Sequence, residues 1–66
     1  MKHNLKKIRL ENDLKQIGLA NEVGISKSYY SNIENGTKVP SLEIAFKIAK
    51  ALGVAIEDIF DINQAV

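Results

Sequence analysis

Sixty-six residues, 45% of them apolar, suffice for one small domain (1–66) near the lower limit at which a chain folds unaided. With no cysteine there is neither a disulfide framework nor a thiolate metal site, so the core has to come from aliphatic helix packing. The net charge of +1 hides a division: residues 1–38 carry seven basic against four acidic side chains, and residues 39–66 carry two against four. A face on phosphate and a face turned away would give this division, but so would ordinary surface charge. No apolar run approaches the roughly 20 residues of a bilayer span. The N-terminus is charged almost at once and has no signal-peptide core, so a cytoplasmic protein without membrane contact is expected.

In chain order, Asn4 can cap a first helix through about Glu11, with Leu5 and Ile8 on one face and lysines on the other. Leu19, Ala20 and Val23 at core spacing predict a second helix from about Gln16 to Val23. Gly24 follows it, where a left-handed backbone costs little. Ser26 caps a third helix that runs to about Asn35, and Asn35-Gly36 is a stop signal. Pro40-Ser41 opens a fourth helix ending near Leu52, closed by Gly53, and a last helix spans about Ile56 to Phe60. Strand signals are nearly absent, although the tail from Ile62 to Val66 is compatible with a short edge. The pattern predicts an all-α fold: a compact five-helix bundle with a central helix-turn-helix, its core spanning about residues 4–61.

At 100° per residue the third helix divides cleanly. Tyr30 and Ile33 fall together and should face the core. Ser28, Ser31, Asn32 and Asn35 occupy the opposite arc, with Lys27 at its edge and Tyr29 between the two. An ordinary solvent face would carry Glu, Lys and Ala, because Ser and Asn are poor residues for a helix interior. Base reading gives their clustering a reason: Asn pairs bidentately with adenine, Lys reaches guanine acceptors, and Ser serves either. An exposed polar face with no ligand is the plainer alternative.

Residues 14–42, L-K-Q-I-G-L-A-N-E-V-G-I-S-K-S-Y-Y-S-N-I-E-N-G-T-K-V-P-S-L, resemble the helix-turn-helix domain of phage repressors and Cro proteins, the xenobiotic-response-element type. So does the continuation K-I-A-K-A-L-G-V-A-I-E-D-I-F over residues 47–60. The likeness covers about residues 5–60, and the E-N-G-x-x-x-P-S-L and I-A-x-x-L-G-V-x-x-x-x-I-F blocks are more specific than a generic helix-turn-helix pattern. It is closest to stand-alone members, typically dimeric repressors. The resemblance implies a double-stranded DNA partner and no cofactor or metal. It puts Gln16 at the start of the second helix, donating to a phosphate and orienting the third, where otherwise it is a solvated first-turn side chain. Lys27, Ser28 and Asn32 fall on base-reading positions. Asn35, Gly36, Thr37 and Lys38 match the loop that meets the DNA backbone, although Gly36 serves equally as a helix terminator. Arg9 and Glu34 match an ion pair between the first and third helices, with a second role for Arg9 at phosphate.

Departures from the family pattern carry their own expectations. Lys15 stands where Ser, Thr or Asn caps the second helix and cannot accept from its free N–H groups. Gly18 replaces a helix former at a cost of roughly 1 kcal/mol relative to Ala. Ala55 stands at another cap position, with Glu57 and Asp58 partly offsetting the loss. Modest stability and a fraying second helix are expected. Tyr29, where the family tends to have Ser, Thr or Gln, could reach a phosphate, lie beside a thymine methyl, or pack over the first helix. Tyr30 replaces an aliphatic, and a core role with its hydroxyl near the surface is expected.

One recognition helix covers only a few base pairs, so useful specificity calls for two half-sites about 34 Å apart. Ile56, Ile59, Phe60, Ile62 and Val66 supply apolar surface for a homodimer reading an inverted repeat, with intramolecular burial as the alternative use of Ile59 or Phe60. A second class of function is an antitoxin-like module or other protein-interaction module that binds a regulatory protein through the fourth and fifth helices. Loss of polar residues from the recognition face would favour it, and they are not lost. Enzymatic activity has little support. His3 is the sole histidine, no Ser–Lys pair stands in an evident pocket, and the acidic residues lack metal-ligand spacing.

Overall fold

The computed structural model describes residues 4–60, which form five helices: α1 (Leu5–Glu11), α2 (Gln16–Val23), α3 (Lys27–Glu34), α4 (Leu42–Leu52) and α5 (Ile56–Ile59). The tail with its candidate edge, Ile62, Val66 and His3 lie outside the described residues. No described helix is long and apolar enough to cross a membrane.

Helix boundaries follow from local chemistry. Ser26 and Ser41 sit in extended backbone just ahead of α3 and α4, and each hydroxyl accepts from the N–H three residues on, Tyr29 at 3.0 Å and Ile44 at 3.2 Å. At the far ends of α2 and α4 the chain turns left-handed at Gly24 (φ 86°) and Gly53 (φ 70°). There the next residue donates back, Ile25 to the Ala20 carbonyl and Val54 to the Ala49 carbonyl, so carbonyls left over by the helix are satisfied. Lys15 offers α2 no side-chain cap. At α5 the Asp58 carboxylate accepts from the Ala55 N–H at 3.1 Å, the half of a capping box that an alanine still permits.

Asn4 does something other than the expected capping. Its side chain makes no cap bond to α1; its Nδ2 reaches the Asp58 carbonyl at 3.4 Å and its N–H donates to the Ile59 carbonyl at 3.0 Å. These bonds join the start of α1 to α5, and so hold the two ends of the described chain together.

The core is built from Leu5, Leu19, Tyr30, Ile33 and Ile48, all fully buried, with Ala20, Val23, Ala45, Ala49, Leu52, Ile56, Ile59 and Phe60 around them. Each such aliphatic side chain contributes about 1.5–3 kcal/mol on burial. Helix α2 packs on both α3 and α4, and α4 on α5. The alanines at Ala20, Ala45 and Ala49 suit that arrangement, since small contact residues let helix axes approach. Two expectations fail here. Ile56, Ile59 and Phe60, expected at a dimer surface, are buried in the chain's own core, which is the alternative use given for Ile59 or Phe60. The Tyr30 hydroxyl is buried rather than near the surface, since Tyr30 lies in the middle of α3 on its core face and its hydroxyl sits beside the Arg9–Glu34 pair.

Candidate nucleic-acid interface

Helix α3 is fixed from three sides. Tyr30 and Ile33 bury one face completely, Ser26 satisfies its first turn, and Glu34 at its last turn meets α1. The Arg9 guanidinium forks onto the Glu34 carboxylate, Nε to Oε2 at 3.0 Å and Nη2 to Oε1 at 2.8 Å, while Nη1 donates to the Leu14 carbonyl at 2.7 Å. Only 8% of the Arg9 side chain and 4% of the Glu34 side chain is exposed. A second phosphate role for Arg9 does not fit this geometry: the guanidinium is buried and each of its three nitrogens donates within the fold.

The electrostatics follow from the pairing. Hydrogen bonding to Glu34 raises the Arg9 pKa against the opposing effect of burial. Burial pushes the Glu34 carboxyl up, but the Arg9 hydrogen bonds, the Gln16 amide and the Arg9 charge outweigh it, so Glu34 titrates below the ordinary carboxylate value. Burial, reinforced by the Glu34 carboxylate, raises the Tyr30 phenol. Its hydroxyl finds no hydrogen-bond partner among the described residues.

Gln16 extends this cluster. As the first residue of α2 it directs Nε2 to Glu34 Oε1 at 3.3 Å, so the start of α2 is registered against the end of α3. That bond uses one amide proton and leaves the other for a ligand. Gln16 is therefore half-buried and oriented, not the freely solvated side chain of its alternative reading. The chain leaving α3 is equally defined. The Asn35 Oδ1 accepts from the Thr37 N–H at 2.9 Å, and the Asn32 carbonyl accepts from the Lys38 N–H at 3.0 Å. Gln16, Asn35, Thr37 and Lys38 are thus gathered around the C-terminal end of α3.

Lys27 and Ser28 are exposed at the other end of α3, about 12 Å away by helix rise. Ser31 and Asn32 are half-buried between the two groups. Neither Lys27 nor Lys38 joins an ion pair among the described residues, where the pairs are Arg9–Glu34 and Glu43–Lys47. Tyr29 is half-buried and packs against the core cluster. Two contributors escaped the sequence reading, the Leu14 carbonyl and the Gln16–Glu34 bond. A backbone acceptor leaves no trace in residue type, whereas the second was open to inference once Gln16 and Glu34 were both placed at helix ends.

The helix-turn-helix family pattern matches residues 5–59. A helix-turn-helix-type transcriptional regulator of Methanocaldococcus jannaschii is 50% identical over 60 residues, 91% of this chain and 91% of that one. The cryptic phage CTXphi transcriptional repressor RstR of Vibrio cholerae is 40% identical over 55 residues, which are 83% of this chain and 50% of that repressor. Among solved structures, the biofilm master regulator SinR of Bacillus subtilis in complex with DNA superposes with a TM-score of 0.76 at 31% identity, over 82% of this chain and 87% of that one. The chain belongs to the helix-turn-helix family of phage-repressor and Cro type, whose members are DNA-binding transcription regulators.

Proposed function

We propose that this regulator is a repressor that binds as a homodimer to an inverted-repeat operator, with α3 in the major groove. Lys27, Ser28, Ser31 and Asn32 read base edges, with Tyr29 at their margin. Gln16, Asn35, Thr37 and Lys38 hold the DNA backbone. One observation supports the reading: α3 is immobilised through Tyr30, Ile33 and the Arg9–Glu34 fork, yet its outer face holds Ser28, Ser31 and Asn32, residue types that favour no helix interior, beside Lys27. Gln16 supports it, since its bond to Glu34 orients the amide without exhausting it. Arg9 is architectural in this scheme.

The test is selection of binding sites from a random duplex library at two salt concentrations, with Asn32→Ala selected in parallel. The wild type is expected to enrich an inverted repeat with half-sites about one turn apart. Asn32→Ala should relax preference at one base step by about 1–3 kcal/mol. Failure to enrich any site, with weak binding that vanishes as salt rises, would make a protein partner the better assignment.

A further inference from the structure

Helix α1 borders an open groove that the DNA contacts proposed above leave unused. Asn4, Lys6, Lys7 and Leu10 form one side of it, and Glu34, the last residue of α3, forms the other. Lys6 and Lys7 are exposed and join no ion pair among the described residues. Leu10, one turn further along the same side of the helix, is 54% exposed. We infer that this groove is a further phosphate-binding surface, in which Lys6 and Lys7 hold the sugar–phosphate backbone beside the bases that α3 reads.

The acids near the groove are committed elsewhere. The Glu34 carboxylate takes the Arg9 fork and the Gln16 amide, and only 4% of its side chain is exposed. Asp58, whose carbonyl meets Asn4, turns its carboxylate to the Ala55 N–H at 3.1 Å. Glu11, four residues past Lys7, makes no ion pair with it. Neither lysine serves the helix that carries it: both stand in the first turn of α1, which has no acidic residue, and a cation there opposes the helix dipole. A charge that costs the fold and has no partner in it is placed for a ligand. Position selects DNA over an acidic protein. The groove shares Glu34 with the cluster of Gln16, Asn35, Thr37 and Lys38, so a strand held by that cluster continues directly along α1. Lys27, at the base-reading end of α3, lies about 10 Å from Glu34 by helix rise, so the α1 lysines meet backbone and not base edges. Leu10 offers a deoxyribose an apolar strip, while the two ammonium groups bind phosphate as point charges without base preference.

This surface rests on the proposed DNA reading, and its test is duplex binding over a range of salt, on a random-sequence duplex and on the selected operator. Wild type is compared with an uncharged double variant, Lys6→Gln with Lys7→Gln, and a charge-keeping one, Lys6→Arg with Lys7→Arg. Circular dichroism and thermal melts check folding, and removal of two cations from the first turn of α1 should leave the melt unchanged or slightly raised. Each phosphate contact contributes about 0.9 to the slope of log K against log salt, so the uncharged variant should lower that slope by about 2. It should weaken both duplexes and still select the wild-type operator sequence, and the charge-keeping variant should restore the slope. Methylphosphonate duplexes, which neutralise one phosphate at a time, should reveal positions where wild type loses affinity and the uncharged variant does not. Those positions should differ from the ones lost with Lys38→Gln. Equal slopes for wild type and the uncharged variant would overturn the assignment; if that variant had lost only its binding to poly-glutamate, the groove would belong to an acidic protein. A changed operator sequence would overturn it too, since it would place the lysines at base edges. Failure of wild type to enrich any operator would instead sink the base-reading assignment, and the slope on the random duplex would still decide the groove.

Discussion

Helices α2 and α3 are the same length and meet at Gly24, but they are held in different ways. The third helix has a Ser cap, two fully buried side chains and a forked ion pair at its end. The second has no side-chain cap, and Gly18 stands in its first turn with open space around it. It is kept in place by what it touches: Leu19 and Ala20 are fully buried, and Gln16 is tied to Glu34. Local preference and tertiary packing are therefore distributed unequally across one motif. The helix that must present its side chains accurately is secured by both, and its neighbour mainly by packing.

The comparison breaks most severely at Glu34, which serves both helices. Replacing it with Ala leaves the Arg9 guanidinium buried without its partner and frees Gln16, and should destabilise the fold by about 3–5 kcal/mol in a denaturant titration. For a domain of this size that approaches the whole stability. The same group sets an acid limit. Its folded pKa lies below the ordinary 4.5, so its contribution is complete above that value and is lost as pH falls through the lower, folded value. Stability of the wild type should drop with acid in that window, and a folded Glu34→Gln variant should show a shallower drop. An unchanged acid limb in Glu34→Gln would move the acid sensitivity to another carboxylate.

Smaller changes sharpen the contrast between the helices. Ser26→Ala removes an acceptor from the first turn of α3 and should cost about 1 kcal/mol. Gly18→Ala adds a methyl to open space in the first turn of α2 and should gain up to about 1 kcal/mol. Melts of the two variants should therefore move in opposite directions. If Gly18→Ala were neutral, α2 would already be fully held by its contacts, and no fraying would remain to be repaired.

How far these features could be read beforehand depends on the range of the physics involved. The Ser26 cap, the left-handed closure at Gly24 and the core spacing of Leu19, Ala20 and Val23 are local, and their helix limits match the structure to within a residue. Asn4 shows the limit of that logic: the right residue type for a cap was drawn instead to carbonyls of Asp58 and Ile59, some 54 and 55 residues away in sequence. Apolar residues carry the same ambiguity. Ile56, Ile59 and Phe60 look like surplus until the end of the bundle closes, while Leu42 and Phe46 look like core until α4 is rotated against α2. Hydrophobicity specifies that a side chain seeks cover, but which side chains find it depends on helix placement, and composition holds no record of that.

Tyr30 provides the finest test of how α3 is secured. Its ring fills the centre of the core, and its hydroxyl is buried without a hydrogen-bond partner beside the Arg9–Glu34 pair. A buried hydroxyl with no partner loses its hydration and regains nothing. Tyr30→Phe keeps the ring and removes that deficit, so it should be neutral or stabilising by less than about 1 kcal/mol. The alkaline limb should change with it. Burial raises the phenol above its ordinary 10.0, so wild-type stability is complete below that value and declines as pH rises past it toward the folded value. Tyr30→Phe should lack that part of the decline. A loss of about 1 kcal/mol or more at neutral pH would mean that the hydroxyl donates to Glu34 in solution. The lock on α3 would then comprise three side chains rather than two, with a tyrosine inside its polar tie as well as its apolar core.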